Sequence, residues 1–93
     1  MAIKYIIEIE NSDYNWNAKL IQSLKYFHKY NSANKSYEFR KNQELNNPSV
    51  IMEPKNNGLI FIDEFGEEIG RELLGLLVEK ATGEKGSIKI DEE

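Results

Sequence analysis

Five carboxylates fall between positions 63 and 72: Asp63, Glu64, Glu67, Glu68 and Glu72. Clustered carboxylates can hold a hard cation, exchange protons with a substrate, or face a basic partner. A Mg²⁺ or Ca²⁺ site needs oxygens converging from several segments. These five share one segment, would diverge around a helix, and lack the D-x-[DN]-x-[DN]-G spacing of a calcium loop. Paired-carboxylate hydrolysis needs two acids facing each other across a groove, which one helical turn does not provide. Much of the cluster fits the start of a helix. Glu67 and Glu68 in a first turn complement the helix dipole, and Glu67 can pair with Arg71 four residues on. Glu64, Glu68 and Glu72 then share one solvent-facing row if the helix begins slightly early. With Asp63 they form the first candidate partner-binding surface.

Other reactive residue types are sparse. His28 is the only histidine and there is no cysteine, so a zinc site lacks ligands and a cysteine nucleophile is excluded. No G-x-S-x-G elbow accompanies His28. The stretch ATGEKGS (81–87) has glycines, but it departs from the phosphate-loop spacing and runs from helix to strand, the wrong order for a phosphate loop. Tyr26 and Tyr30, four residues apart beside Lys25 and Lys29, form the second candidate surface. On a helix they would cap the core edge, contact a protein, or stack on single-stranded nucleic acid.

The elements that must position these residues follow from periodicity. Ile3, Tyr5, Ile7 and Ile9 alternate with Lys4, Ile6, Glu8 and Glu10 and predict a strand with one mostly buried face. Asn11-Ser12-Asp13 supplies a helix cap. Trp16, Leu20, Ile21, Leu24, Phe27 and His28 lie at helical spacing, predicting a helix over 14–30. Alternation predicts a strand through Tyr37 and Phe39, then a polar connection (42–48). A short strand through Val50–Met52 is expected to end at Pro54, and a turn is expected at Asn57-Gly58. Leu59–Ile62, apolar on both faces, predicts a central strand. A second helix is expected over 66–82, with Gly66 as N-cap, Gly83 as C-cap and a buried stripe of Ile69, Leu73, Leu76, Leu77 and Ala81. Gly70 and Gly75 inside it each cost about 1 kcal/mol relative to Ala, so a close packing contact is expected at them. Ile88 and Ile90 mark a last strand. The order β-α-β-β-β-α-β predicts one α+β domain spanning 1–93. It is a two-layer sandwich with a mostly antiparallel or mixed sheet and both helices on one face. The order approaches the ferredoxin-like βαββαβ arrangement with one strand added.

A chain of 93 residues has a small core and little room for an internal active-site cavity. Its net charge of −4 is uneven: residues 1–46 sum to +2 and residues 47–93 to −6. The acidic half disfavours contact with phosphates. No segment has the apolar length of a membrane span or the form of a signal peptide, so a cytoplasmic protein is expected. The reading is a small non-enzymatic binding module without cofactor or metal, of inhibitor or immunity type. It would dock on a larger protein with a basic surface, with no membrane and no direct nucleic-acid contact. The alternatives are a self-associating accessory domain forming a homodimer, a small metal-dependent enzyme, or a single-stranded nucleic-acid binder.

Overall fold

The computed structural model describes residues 2–26, 28–41 and 47–93. The elements are β1 (Ile3–Ile9), α1 (Tyr14–Gln22), β2 (His28–Asn31), β3 (Ser36–Phe39), β4 (Val50–Lys55), β5 (Gly58–Asp63), α2 (Glu68–Lys85) and β6 (Ile88–Glu92). The six strands form one sheet in the order β2-β3-β4-β5-β1-β6, and every pairing is antiparallel. The two helices pack against one another and against the same face. The two-layer α+β sandwich read from the sequence is therefore present, with one further strand, β2. No helix among the described residues is long and apolar enough to cross a membrane.

Cross-strand register decides which side chains meet the helices. Phe61 of β5 stands between Tyr5 of β1 and Met52 of β4, and Leu59 stands between Ile7 and Pro54. Phe39 and Val50 continue this inward row on β3 and β4. Ile21 and Leu24 from the α1 segment, and Leu73, Leu77 and Ala81 of α2, close over them with almost no exposure. Pro54 lies within β4 rather than ending it. The β3–β4 register reaches only Met52 of β4, so Pro54, though paired with Leu59 of β5, lies beyond β3, and its missing N–H on that side costs no ladder bond.

The first helix is shorter than its apolar spacing predicts. Asp13 caps it, its carboxylate accepting the Trp16 N–H at 2.8 Å. It ends at Gln22, where the Ser23 hydroxyl donates to the Leu20 carbonyl at 2.6 Å. His28 and Tyr30 then pair across strands with Phe39 and Tyr37. Aromatic cross-strand pairs of this kind outcompete continuation of the helix. Phe27, assigned to the helical stripe, and residues 42–46 of the polar connection lie outside the described residues. The β4–β5 turn is centred on Asn56-Asn57, one position earlier than expected, and Gly58 opens β5 opposite Glu8. A Cβ at Gly58 would overlap the Ile7 carbonyl, so the strands approach this closely only with glycine there.

Among the described residues no helix covers the other face of the sheet. Ile51, Ile62, Ile60 and Ile6 stand side by side on β4, β5 and β1, half-buried and outside the core cluster. Ion pairs on the same face frame them: Arg40 with Glu38 (3.0 Å), Lys55 with Glu53 (2.7 Å), Lys4 with Glu93 (3.3 Å) and Lys89 with Asp91 (3.8 Å). Glu38 also accepts from the Asn31 amide at 3.0 Å. That bond, followed by Arg40 and Lys29, outweighs desolvation and holds the Glu38 carboxyl below its ordinary value. A carboxyl that is harder to protonate when folded stabilises the fold fully above its unfolded value, and the benefit is lost as pH falls through the folded value. Glu38→Gln is therefore expected to be less stable than wild type at neutral pH, the gap narrowing below about pH 4. Urea denaturation at neutral and acid pH measures this.

Candidate functional site

The acidic stretch is divided by the way β5 meets α2. Inward alternation along β5 buries Leu59, Phe61 and then Asp63, which is only 7% exposed. An isolated buried carboxylate is costly, so it must find donors. Asp63 accepts the Gly66 N–H at 2.9 Å, and its carboxylate lies against the first turn of α2. There it complements the positive end of the helix. The residue at the N-cap position is Glu67, not Gly66, and its side chain makes no capping bond. Gly66 instead forms the turn, with φ of +66°.

This arrangement explains Gly70. A Cβ at Gly70 would overlap the Asp63 carboxylate, so glycine is what allows the helix to lie on that side chain. The close contact expected for Gly75 is not found. Gly75 is exposed and an added Cβ there meets nothing within 4 Å, so nothing in the structure explains that glycine.

The remaining acids do not form one row. Glu64 precedes the helix, its N–H donating to the Ser49 carbonyl at 3.0 Å. Glu67 pairs with Lys41 rather than with Arg71. Glu68 lies exposed in the first turn of α2. Glu72, one turn on, accepts the Tyr26 hydroxyl. The structure therefore joins one member of each candidate surface, Tyr26 and Glu72, and leaves Glu64 and Glu68 on either side of Phe65. Phe65 is 53% exposed on the turn held by Asp63 and Gly66. Phe65 is not among the candidate residues singled out from the sequence. The signal that marks it is an aromatic residue next to glycine between a strand end and an acidic helix start.

Tyr26 and Tyr30 do not share a helical face. Tyr26 lies between α1 and β2 and packs against the core, whereas Tyr30 is on edge strand β2, 50% exposed. The Tyr30 ring packs on Tyr37 with centroids 5.0 Å apart. Desolvation, then the neighbouring Tyr14, raises the pKa of its hydroxyl. The Tyr37 hydroxyl accepts from Gln22 at 2.6 Å. His28, expected on the helical stripe, is instead on β2. Its ring centroid is 4.9 Å from Phe39, and its Nδ1 is 3.0 Å from the Tyr26 carbonyl. These aromatic residues form a packed sheet edge. Among the described residues no group of three or more His, Asp or Glu side chains is placed to hold a metal ion.

Comparison with protein-family models, with curated proteins and with solved structures gave no match.

The two helix glycines give a paired expectation. Gly70→Ala displaces a buried, hydrogen-bonded carboxylate and should lower stability by about 1–3 kcal/mol. Gly75→Ala should raise it by up to about 1 kcal/mol. Chemical denaturation of both variants measures the difference. A double-mutant cycle with Asp63→Ala should show coupling to Gly70→Ala and none to Gly75→Ala.

Proposed function

We propose that this chain is a non-enzymatic binding module that docks on a basic surface of a larger protein through the Phe65 turn. The observation that carries the reading is Phe65 itself. Among the described residues it is the most exposed large apolar side chain. Burying such a ring contributes about 1.5–3 kcal/mol, and aromatic anchors of this kind dominate protein interfaces. The turn is held from both sides, by the Asp63 bond to Gly66 and by the Glu64 N–H bond to Ser49. A pre-ordered anchor gives up little conformational freedom on binding.

Along the chain Glu64 immediately precedes Phe65 and Glu68 follows three residues later, with Glu72 one turn further on in α2. Exposed charges at an interface rim act mainly on the association rate, steering a partner of opposite sign. Affinity then comes from Phe65, and orientation from the acids. The inhibitor or immunity-type role belongs to this reading: on a nucleic-acid-processing partner, the same carboxylates would occupy the basic groove that otherwise receives phosphate.

The test begins with the full chain as bait and continues with binding kinetics on whatever it retains. Phe65→Ala should weaken binding about 10–100-fold, chiefly by faster dissociation. The combined change Glu64→Lys, Glu68→Lys and Glu72→Lys should slow association by an order of magnitude or more at low salt, with a smaller effect at high salt. A partner held equally well by both variants would overturn the assignment of this surface.

A further inference from the structure

We infer that the uncovered face of the sheet is the interface between two copies of this chain. Ile51, Ile62, Ile60 and Ile6 make a continuous apolar strip across three adjacent strands, since each is a register neighbour of the next or follows it by alternation along β5. Apolar strips with a polar rim mark association surfaces.

The rim identifies the occupant. Each of the four ion pairs framing the strip cancels its own charge, and Glu8 and Lys29 add one charge of each sign to the same face. The chain as a whole carries −4. Two copies therefore repel over much of their surface but not across this face. A strongly basic or strongly acidic partner finds no excess of opposite charge here. A second copy, related by a two-fold axis, presents the same alternation of signs and the same isoleucines.

The dimensions agree. The six strands hold 32 residues, which at about 4.8 Å by about 3.3 Å each span roughly 500 Å² of sheet. With the relief of its side chains added, such a face lies toward the small end of what each partner contributes to a specific interface. Two such faces would stack as an aligned sheet sandwich about 10 Å deep, with a helix layer on either outer side. None of the four isoleucines belongs to the 63–66 turn that carries Phe65, so the dimer does not draw on the residues of the docking surface proposed above.

The decisive experiment is sedimentation velocity of the full chain over a concentration series reaching millimolar. The mass should rise from one chain to two. Ile60→Lys, a change at a half-buried position outside the core cluster, should raise the dissociation constant about tenfold or more. Asn15→Ala, an uncharged change at an exposed position of α1 in the helix layer, should leave it unchanged. Isoleucine-methyl NMR on dilution of the wild type serves as a second measurement that does not depend on the variant folding. The Ile6, Ile51, Ile60 and Ile62 methyls should shift while those of Ile9, Ile21 and Ile69 stay still. A chain monomeric throughout, or a dimer whose dilution shifts fall along the outer edge of β2 or β6, would overturn the proposal.

Discussion

The register of β5 against β1 and β4 is the constraint on which the other features depend. It sends Leu59, Phe61 and Asp63 toward the helices and Ile60 and Ile62 away from them. A slip of one residue would exchange those two sets, exposing a phenylalanine and burying two isoleucines on the wrong side. Gly58 pins one end, because only a residue without a side chain accepts the Ile7 carbonyl so closely. Asp63 marks the other end. Once alternation has buried its carboxylate, the chain must bring donors to it, and the turn at Gly66 and the start of α2 do so. Helix placement and strand register are thus one choice rather than two.

The strands were legible where alternation was long. Seven residues of β1 and the uninterrupted apolar run of β5 leave little ambiguity. The segment 23–31 misled because Leu24, Phe27 and His28 continue the helical spacing of Trp16, Leu20 and Ile21. Only two of the four residues of β2 face its neighbour's aromatic rings, too short a pattern to outweigh the helical one until Tyr37 and Phe39 are in place. The acidic cluster was legible as the start of a helix but not as five separate fates. Which acid is buried depends on the facing of β5. Which acids find partners depends on Tyr26 and Lys41, both distant in sequence. Gly70 was flagged by its cost, but its cause lay in a carboxylate seven residues earlier in the chain.

The charge asymmetry read along the chain has a different form in space. Basic residues of the first half meet acidic residues of the second across strands and loops, as Lys4 does with Glu93 and Lys41 with Glu67. The uncovered face is balanced by Lys4 with Glu93 and by three pairs whose members lie two residues apart in sequence, and the excess negative charge lies elsewhere. Exposed pairs of this kind contribute little to stability. Their greater effect is on what the surface attracts: an apolar strip in a neutral frame on one side, and an aromatic turn among carboxylates at the end of β5.

The position of β1 has a consequence for how the molecule is made. The first strand in sequence lies between β5 and β6, so both of its neighbours come from the second half of the chain. The meander from β2 to β5 can assemble from local contacts as the chain emerges. β1 must wait for β5, and its other edge stays open until β6 has been synthesised. During that interval Ile6, Ile7 and Ile9 form an unsatisfied apolar strand, the kind of segment that invites pairing with the wrong chain. Glu8 and Glu10, set among these isoleucines, place like charges on that segment and discourage two nascent copies from zipping together before the native neighbours arrive.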